Sequence, residues 1–371
     1  MDLNKVISLT IPEGTVKSIY DSNNVLLWHR PKVYGVSWAG GTSASMTRTD
    51  DAKNFSAPVI GNGTTNGSSP FDDCYPWSEM KTVTDNGNVL VSIPKFWYKW
   101  SKSGSTMTLQ IADRAMPSFY VSPMHADRGD GVGERDIVYI AKYKCASDYK
   151  SKAGSAPKAS ISIGTARTNI AALGDGYYQQ DYASFWTLRM LFLVEFATWD
   201  SQSVLQNTSD FSAIANIVTG KTASMSYHTG VSSDGYSVQY RYVEDPWENM
   251  LEWVDGLYFS GSNMYCINNP NKFAVGSNGT KVGTRPTSEG YIKSWTIPTA
   301  SGYEWALVPA SVASSESYTY DGYYYASSGT VAYIGGTRSS WEVHGAFFMY
   351  TDFTASSTST VITARLMKLP I

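Results

Sequence analysis

One stretch carries apolar residues at helical spacing over enough length to demand a long helix: residues 184–199, SFWTLRMLFLVEFATW. Phe185, Leu188, Leu191, Phe192 and Phe196 recur at intervals that share a helical face, and Ser184 stands where an N-cap belongs. The apolar arc is wide, so this helix is expected to be buried on more than one side. Around it the 371 residues break into short β-like runs between polar loops. Val33–Trp38, Asn88–Ile93, Thr106–Ile111, Ile137–Lys144 and Ser237–Val243 are expected strands, several of them by their β-branched content. Thr47–Ala52 has the pattern of a polar turn entering a helix, and a weaker helix is expected over Phe211–Val218, before Gly220. The expected class is α+β, with few helices, many short strands and long loops.

Residues 1–30 hold three more β-like runs, Val6–Ile11, Thr15–Tyr20 and Val25–Trp28. Pro12-Glu13-Gly14 and Asp21-Ser22-Asn23-Asn24 separate them with turn chemistry, and Arg30-Pro31 marks a boundary. So small a piece buries little core alone. It is expected to be a β-rich attachment or oligomerisation element ahead of one large domain over residues 31–371.

The formal net charge is −3 and only 16% of residues are charged, which gives no basic surface for nucleic acid. Cys74, Cys145 and Cys266 are far apart and odd in number, so buried inert thiols are expected rather than a disulfide framework. No apolar run approaches the roughly 20 residues of a membrane span, and membrane insertion is not expected. No basic-then-apolar segment opens the chain, so a cleaved signal is not expected either. His29, His125, His228 and His344 are scattered without metal-site spacing, and neither metal nor cofactor is expected. Gly129-Asp130-Gly131-Val132-Gly133 lacks the lysine of a phosphate loop, and Arg128-Gly129-Asp130 is a bare tripeptide in a Gly-rich loop. No catalytic residue is assigned.

Aromatics reach 14%, with 26 Tyr and 12 Trp, a supply that serves both an irregular core and a contact surface. The run from Val331 to Pro370 has both characters. Ala332, Ile334, Phe347, Phe348, Ile362 and Leu366 want a core, while Thr337, Arg338, Ser339, Trp341, His344, Tyr350, Asp352 and Phe353 form a mixed set. Upstream, SESYTYDGYYYASSG has the tyrosine, serine and glycine mixture of binding loops. Strand alternation sends Tyr323 and Tyr325 to one face and Tyr324 to the other. The expected ligand contacts are Tyr323, Tyr325, Arg338, Trp341, His344, Tyr350, Asp352 and Phe353, with packing on the core as the competing use of the tyrosines.

The segment Pro246-Trp247-Glu248-Asn249-Met250-Leu251-Glu252-Trp253-Val254-Asp255-Gly256 resembles the N-x-x-E-W-x-D-G signature of the formylglycine-generating-enzyme branch of the C-type lectin fold. The Gly335-Gly336 turn, the GAFFMY strand and the closing Ala364-Arg365-Leu366 resemble the end of that fold in phage tail and retroelement-diversified receptor-binding proteins. Tyr34–Ala52, Phe71–Trp77 with Ile93-Pro94-Lys95-Phe96, and Leu191–Ser203 resemble phage structural proteins. Arg338 and Trp341 depart from the diversified pattern, which usually has Trp and Gly there, so the face is either fixed or already altered. No Glu-Pro-Asn or Gln-Pro-Asp calcium tripeptide occurs. The resemblance implies a C-type-lectin-like domain in which Trp247 and Trp253 are core and Glu252 is a hydrogen-bonded scaffold acid. It also implies a phage or prophage tail-tip receptor-binding protein, made in the bacterial cytoplasm and carried on the virion. A bacterial surface receptor and other tail proteins would be its partners, and a homotrimer its state. A bacterial adhesin of the same fold and a formylglycine-generating-type oxidoreductase are the alternatives.

Overall fold

The computed structural model describes residues 18–20, 26–63, 65–206, 218–337 and 344–371. Two α-helices occur among these, α1 over Ile163–Ala171 and α2 over Tyr182–Phe196. α2 is the expected long helix with its start moved, because Asp181 and not Ser184 is the N-cap. The Asp181 carboxylate accepts from the Ser184 N–H at 2.8 Å, while Ser184 Oγ accepts from the Asp181 N–H at 3.0 Å. This reciprocal cap satisfies two otherwise orphaned donors and adds a turn's start to the helix.

All 15 residues of α2 are buried, including two that carry charge. Glu195 accepts from Arg241 Nε at 3.0 Å and from the Tyr240 hydroxyl at 3.0 Å. The Arg189 guanidinium lies 3.8 Å over the Phe185 ring and donates to the carbonyls of Pro246 and Ala346. Buried charge is tolerable here because Glu195 is paired with Arg241, and Arg189 is hydrogen-bonded to carbonyls and covered by a ring. The helix stops at Ala197, whose φ of 54° is left-handed. α1 was not anticipated. It is nine residues long, holds Gly164 beside Ile163, Thr165, Thr168 and Ile170, and depends on the Ser162 cap rather than propensity.

A seven-stranded sheet carries the second half of the chain. Its strands are β1 (Leu251–Val254), β2 (Gly290–Thr296), β3 (Val308–Ala313), β4 (Gly322–Tyr325), β5 (Ala332–Ile334), β6 (Met349–Thr351) and β7 (Ile362–Thr363). They lie in the order β3-β2-β4-β6-β5-β1-β7, with β4/β6 and β1/β7 the parallel neighbours. One five-stranded sheet joins Tyr177–Gln179, Leu366–Lys368, Ile137–Ala141, Asn88–Pro94 and Lys81–Asp85, in that order. A second runs Thr47–Asp50, Val33–Trp38, Thr106–Ala112, Trp97–Ser103 and Tyr120–Val121. Thr47–Asp50 is therefore a strand, paired with Val33–Trp38, and not the entry to a helix; the turn follows at residues 51–54. The expected Ile137–Lys144 strand ends at Ala141, where Lys142 and Lys144 turn into buried polar contacts. The fold is α+β and predominantly β.

Indoles fill the space between α2 and the sheets. Trp186 and Trp199 lie 5.4 and 5.6 Å from Trp295, and Phe347 lies 4.8 Å from Trp199. Among the described residues no helix is long and apolar enough to cross a membrane. Near the N-terminus, Ser18–Tyr20 pairs antiparallel with Leu26–His29, as expected of a hairpin. The run Val6–Ile11, and all of the expected Phe211–Val218 helix but Val218, lie outside the described residues.

Candidate ligand-binding groove

The strand β1 belongs to the most distinctive motif of the sequence, and its chemistry is that of a lock. Glu252 receives Lys144 Nζ at 2.5 Å and Arg365 Nε at 3.0 Å, all three fully buried. Burial pushes the Glu252 carboxyl up, but the Arg365 and Lys144 charges outweigh it and hold it below its ordinary value. Arg365 also donates to the carbonyls of Ala141, Lys142, Glu244 and Asp245 at 2.8–3.0 Å. Asp255, three residues on, receives a two-pronged contact from Arg167 of α1 at 2.6 and 2.8 Å. Trp247 and Trp253 are fully buried, with Trp253 Nε1 donating to Ile161 O at 2.9 Å.

Three tyrosines stand at one level across the adjoining strands. Tyr324 on β4 is in register with Tyr350 on β6, and Tyr350 with Tyr333 on β5. Their rings stack at 4.5 and 4.7 Å, close to the spacing of neighbouring strands. Phe353 packs 4.9 Å from Tyr333, and Phe348 meets Tyr350 edge-on at 4.7 Å. His344 lies 4.1 Å from Phe348. The Tyr333 hydroxyl donates to Asp352 Oδ1 at 2.7 Å. Burial pushes the Tyr350 phenol up to about 12 and pulls the His344 imidazole down to about 4, so both are uncharged near neutral pH.

Of these side chains Tyr333, His344, Tyr350, Asp352 and Phe353 line a groove of about 350 Å³, together with Leu251 and Ile362, while Tyr324 and Phe348 pack behind them. The chain entering β6 is held from below. Asp321 accepts from the Phe347 N–H at 3.1 Å, Ser201 Oγ accepts from the Ala346 N–H at 2.9 Å, and Arg189 holds the Ala346 carbonyl. Gly336 permits the return of the chain over His344. Its φ is 127°, and a Cβ there would come 2.2 Å from His344 Cβ.

Of the expected contacts, His344, Tyr350, Asp352 and Phe353 converge on this groove. Arg338 and Trp341 lie outside the described residues. Tyr323 and Tyr325 do not line the groove. Tyr323 is fully buried, its hydroxyl donating to Pro286 O at 3.1 Å, and Tyr325 lies 4.8 Å over Arg285. The alternation was right and its sense reversed, because Tyr324 is the residue in register with Tyr350. Tyr333 was missed altogether. Its place opposite Tyr350 follows from the register between β5 and β6, which neither strand signals alone.

Other candidates resolve into structure. Arg128 pairs with Asp181 and Asp130 with Arg135, both acids almost fully buried, so the Arg-Gly-Asp tripeptide turns its charges inward. All three cysteines are buried, and burial raises the Cys145 thiol to about 12. Among the described residues no three His, Cys, Asp or Glu side chains group as metal ligands. A larger groove, of about 530 Å³, borders the Lys81–Asp85 strand. Of its two acids, Asp85 and Asp175, Asp85 is already engaged by Lys368 and Tyr177. No protein-family model matches the chain, and no curated protein matches its sequence.

Proposed function

We propose that the chain is a phage or prophage tail-tip receptor-binding protein, a C-type-lectin-like domain of the formylglycine-generating-enzyme-like subtype behind a small β-rich attachment element. The groove between Tyr333, His344, Tyr350, Asp352 and Phe353 is its site for a bacterial surface ligand. The observation that carries this reading is the convergence of four expected contact residues on one groove of the C-terminal segment. The rigid support adds to it: the Glu252 network and the Asp321, Ser201 and Arg189 contacts fix the walls before any ligand arrives, which lowers the entropic cost of binding. Copies on a virion, most simply a homotrimer, would multiply a weak single site through effective concentration.

Fluorescently labelled protein applied to a panel of bacterial strains tests the reading. Strain-selective binding, lost in a folded Tyr350→Ala, Asp352→Ala variant, is the expected result. Binding that survives the double substitution moves the site elsewhere, and no binding to any strain sinks the receptor role. Mass spectrometry of purified tail particles tests the virion placement and separates it from a cell-surface adhesin.

A further inference from the structure

The ring stack restricts what the groove can hold. Tyr350 is sandwiched between Tyr324 at 4.5 Å and Tyr333 at 4.7 Å, so neighbouring rings cover both of its faces. An aromatic cage for an ammonium group works through ring faces, and so does a platform for the apolar side of a sugar. Tyr350 offers neither. It presents an edge and a hydroxyl, and that hydroxyl has no partner among the described residues.

Two further hydrogen-bonding groups of the same walls are unused among the described residues. Tyr333 occupies Asp352 Oδ1 and leaves Oδ2 open. His344 Nδ1 accepts from the Thr337 N–H at 2.9 Å, which places the ring proton on Nε2. That Nε2 is buried and has no partner among the described residues, while the residue itself is only 2% exposed. A buried donor of this kind calls for a water or a ligand oxygen. With its pKa drawn down to about 4 by burial, the imidazole meets such an oxygen as a neutral donor. The Asp352 carboxylate in the lining repels an anion.

We propose that the groove binds a neutral hydroxylated unit, a hexose or N-acetylhexosamine of a surface glycan, through hydrogen bonds in the plane of the ring edges. A ligand oxygen accepts from His344 Nε2–H and from the Tyr350 hydroxyl, and a ligand hydroxyl donates to Asp352 Oδ2. The volume of about 350 Å³ is at the lower end for small-molecule sites and suits one sugar ring with its substituents. This assignment rests on the receptor-binding reading for its biological source, not for its chemistry.

Ligand-observed NMR on the full chain tests it, with methyl α-D-glucopyranoside, methyl α-D-galactopyranoside and N-acetylglucosamine as probes. Tetramethylammonium chloride and glycerol 3-phosphate supply the cationic and anionic arms. At least one sugar is expected to bind, weakened about tenfold by Asp352→Asn and by Tyr350→Phe, while remote Tyr120→Phe has no effect. Circular dichroism and thermal unfolding establish that each variant is folded. A preference for either charged probe overturns the assignment, as does sugar binding indifferent to both groove variants. If cells are bound through Tyr350 but no sugar binds or competes, the ligand class falls and the receptor role stands. If a sugar binds at the groove but no strain is recognised, the receptor role falls and the ligand class stands.

Discussion

Arg365 holds Glu252 through its Nε at 3.0 and 3.2 Å, across 113 residues of chain and with both side chains buried. The pair is one corner of a triad with Lys144. Neutralising the acid would leave two cations buried without their counter-charge, the costly half of a broken ion pair. Glu252→Gln is expected to lose about 3–5 kcal/mol in urea unfolding. Arg365→Lys is expected to fail comparably, because an ammonium cannot reach four separate carbonyls and a carboxylate at once. A loss under about 1 kcal/mol in both variants would mean the network is not integral to the fold.

The reversed tyrosine face gives a paired comparison. Tyr323→Ala empties a fully buried position and is expected to cost about 3–5 kcal/mol in thermal or denaturant unfolding. Tyr324→Ala removes one outer ring of the stack and is expected to cost about 1 kcal/mol. Any effect on ligand binding would be indirect, through the freedom it gives the Tyr350 ring that it covers. Equal losses of stability would contradict the placement of the two rings.

Acid stability follows from two buried histidines. Burial lowers both His125 and His344 to about 4, below the ordinary value of 6.5 that the unfolded chain has. Their contribution is therefore complete above pH 6.5 and is lost as pH falls towards 4, where the unfolded chain takes up protons first. Each represents about 3 kcal/mol at full extent. Denaturant midpoints measured from pH 7.5 down to 4.5 should fall, and His344→Gln should flatten part of that fall. Asp245 acts in the opposite sense. Burial raises it from 3.8 to about 7, so its contribution is full below 3.8 and is lost as pH rises to about 7, and Asp245→Asn should remove that slope.

The thiols should report on unfolding. Cys74, Cys145 and Cys266 are buried, and burial raises all three above the ordinary thiol value. Labelling with a thiol-disulfide reagent is expected to be negligible in the native protein and to reach three equivalents only in denaturant. Rapid labelling of one thiol at neutral pH would reveal an opening local to that cysteine.

Much of the scaffold was legible because it obeys local rules. The α2 pattern is apolar at helical spacing, and the expected strands at Val33–Trp38, Asn88–Ile93 and Thr106–Ile111 appear within a residue of their bounds. Asp181 escaped notice as the cap because Tyr182 and Ala183, between it and Ser184, carry no strong helix-start signal. α1 was missed because its β-branched composition favours a strand, and tertiary packing with a single cap decides otherwise. Four of the eight expected contacts, His344, Tyr350, Asp352 and Phe353, share one groove because they lie close together in one segment. Which tyrosines face the groove was not legible, since that depends on the register between β4, β6 and β5, and register is a property of paired strands that no one strand encodes.

Arg365 also bears on how the protein is made. The carbonyls it holds come from residues 141–142 and 244–245, and its acid from residue 252. A nascent chain that has not yet delivered residue 365 from the ribosome exposes these groups, and Glu252 with Lys144, to solvent. Closure of this network therefore follows the emergence of residue 365, and β-rich surfaces formed before it stand open in a cell where unpaired strand edges attract one another.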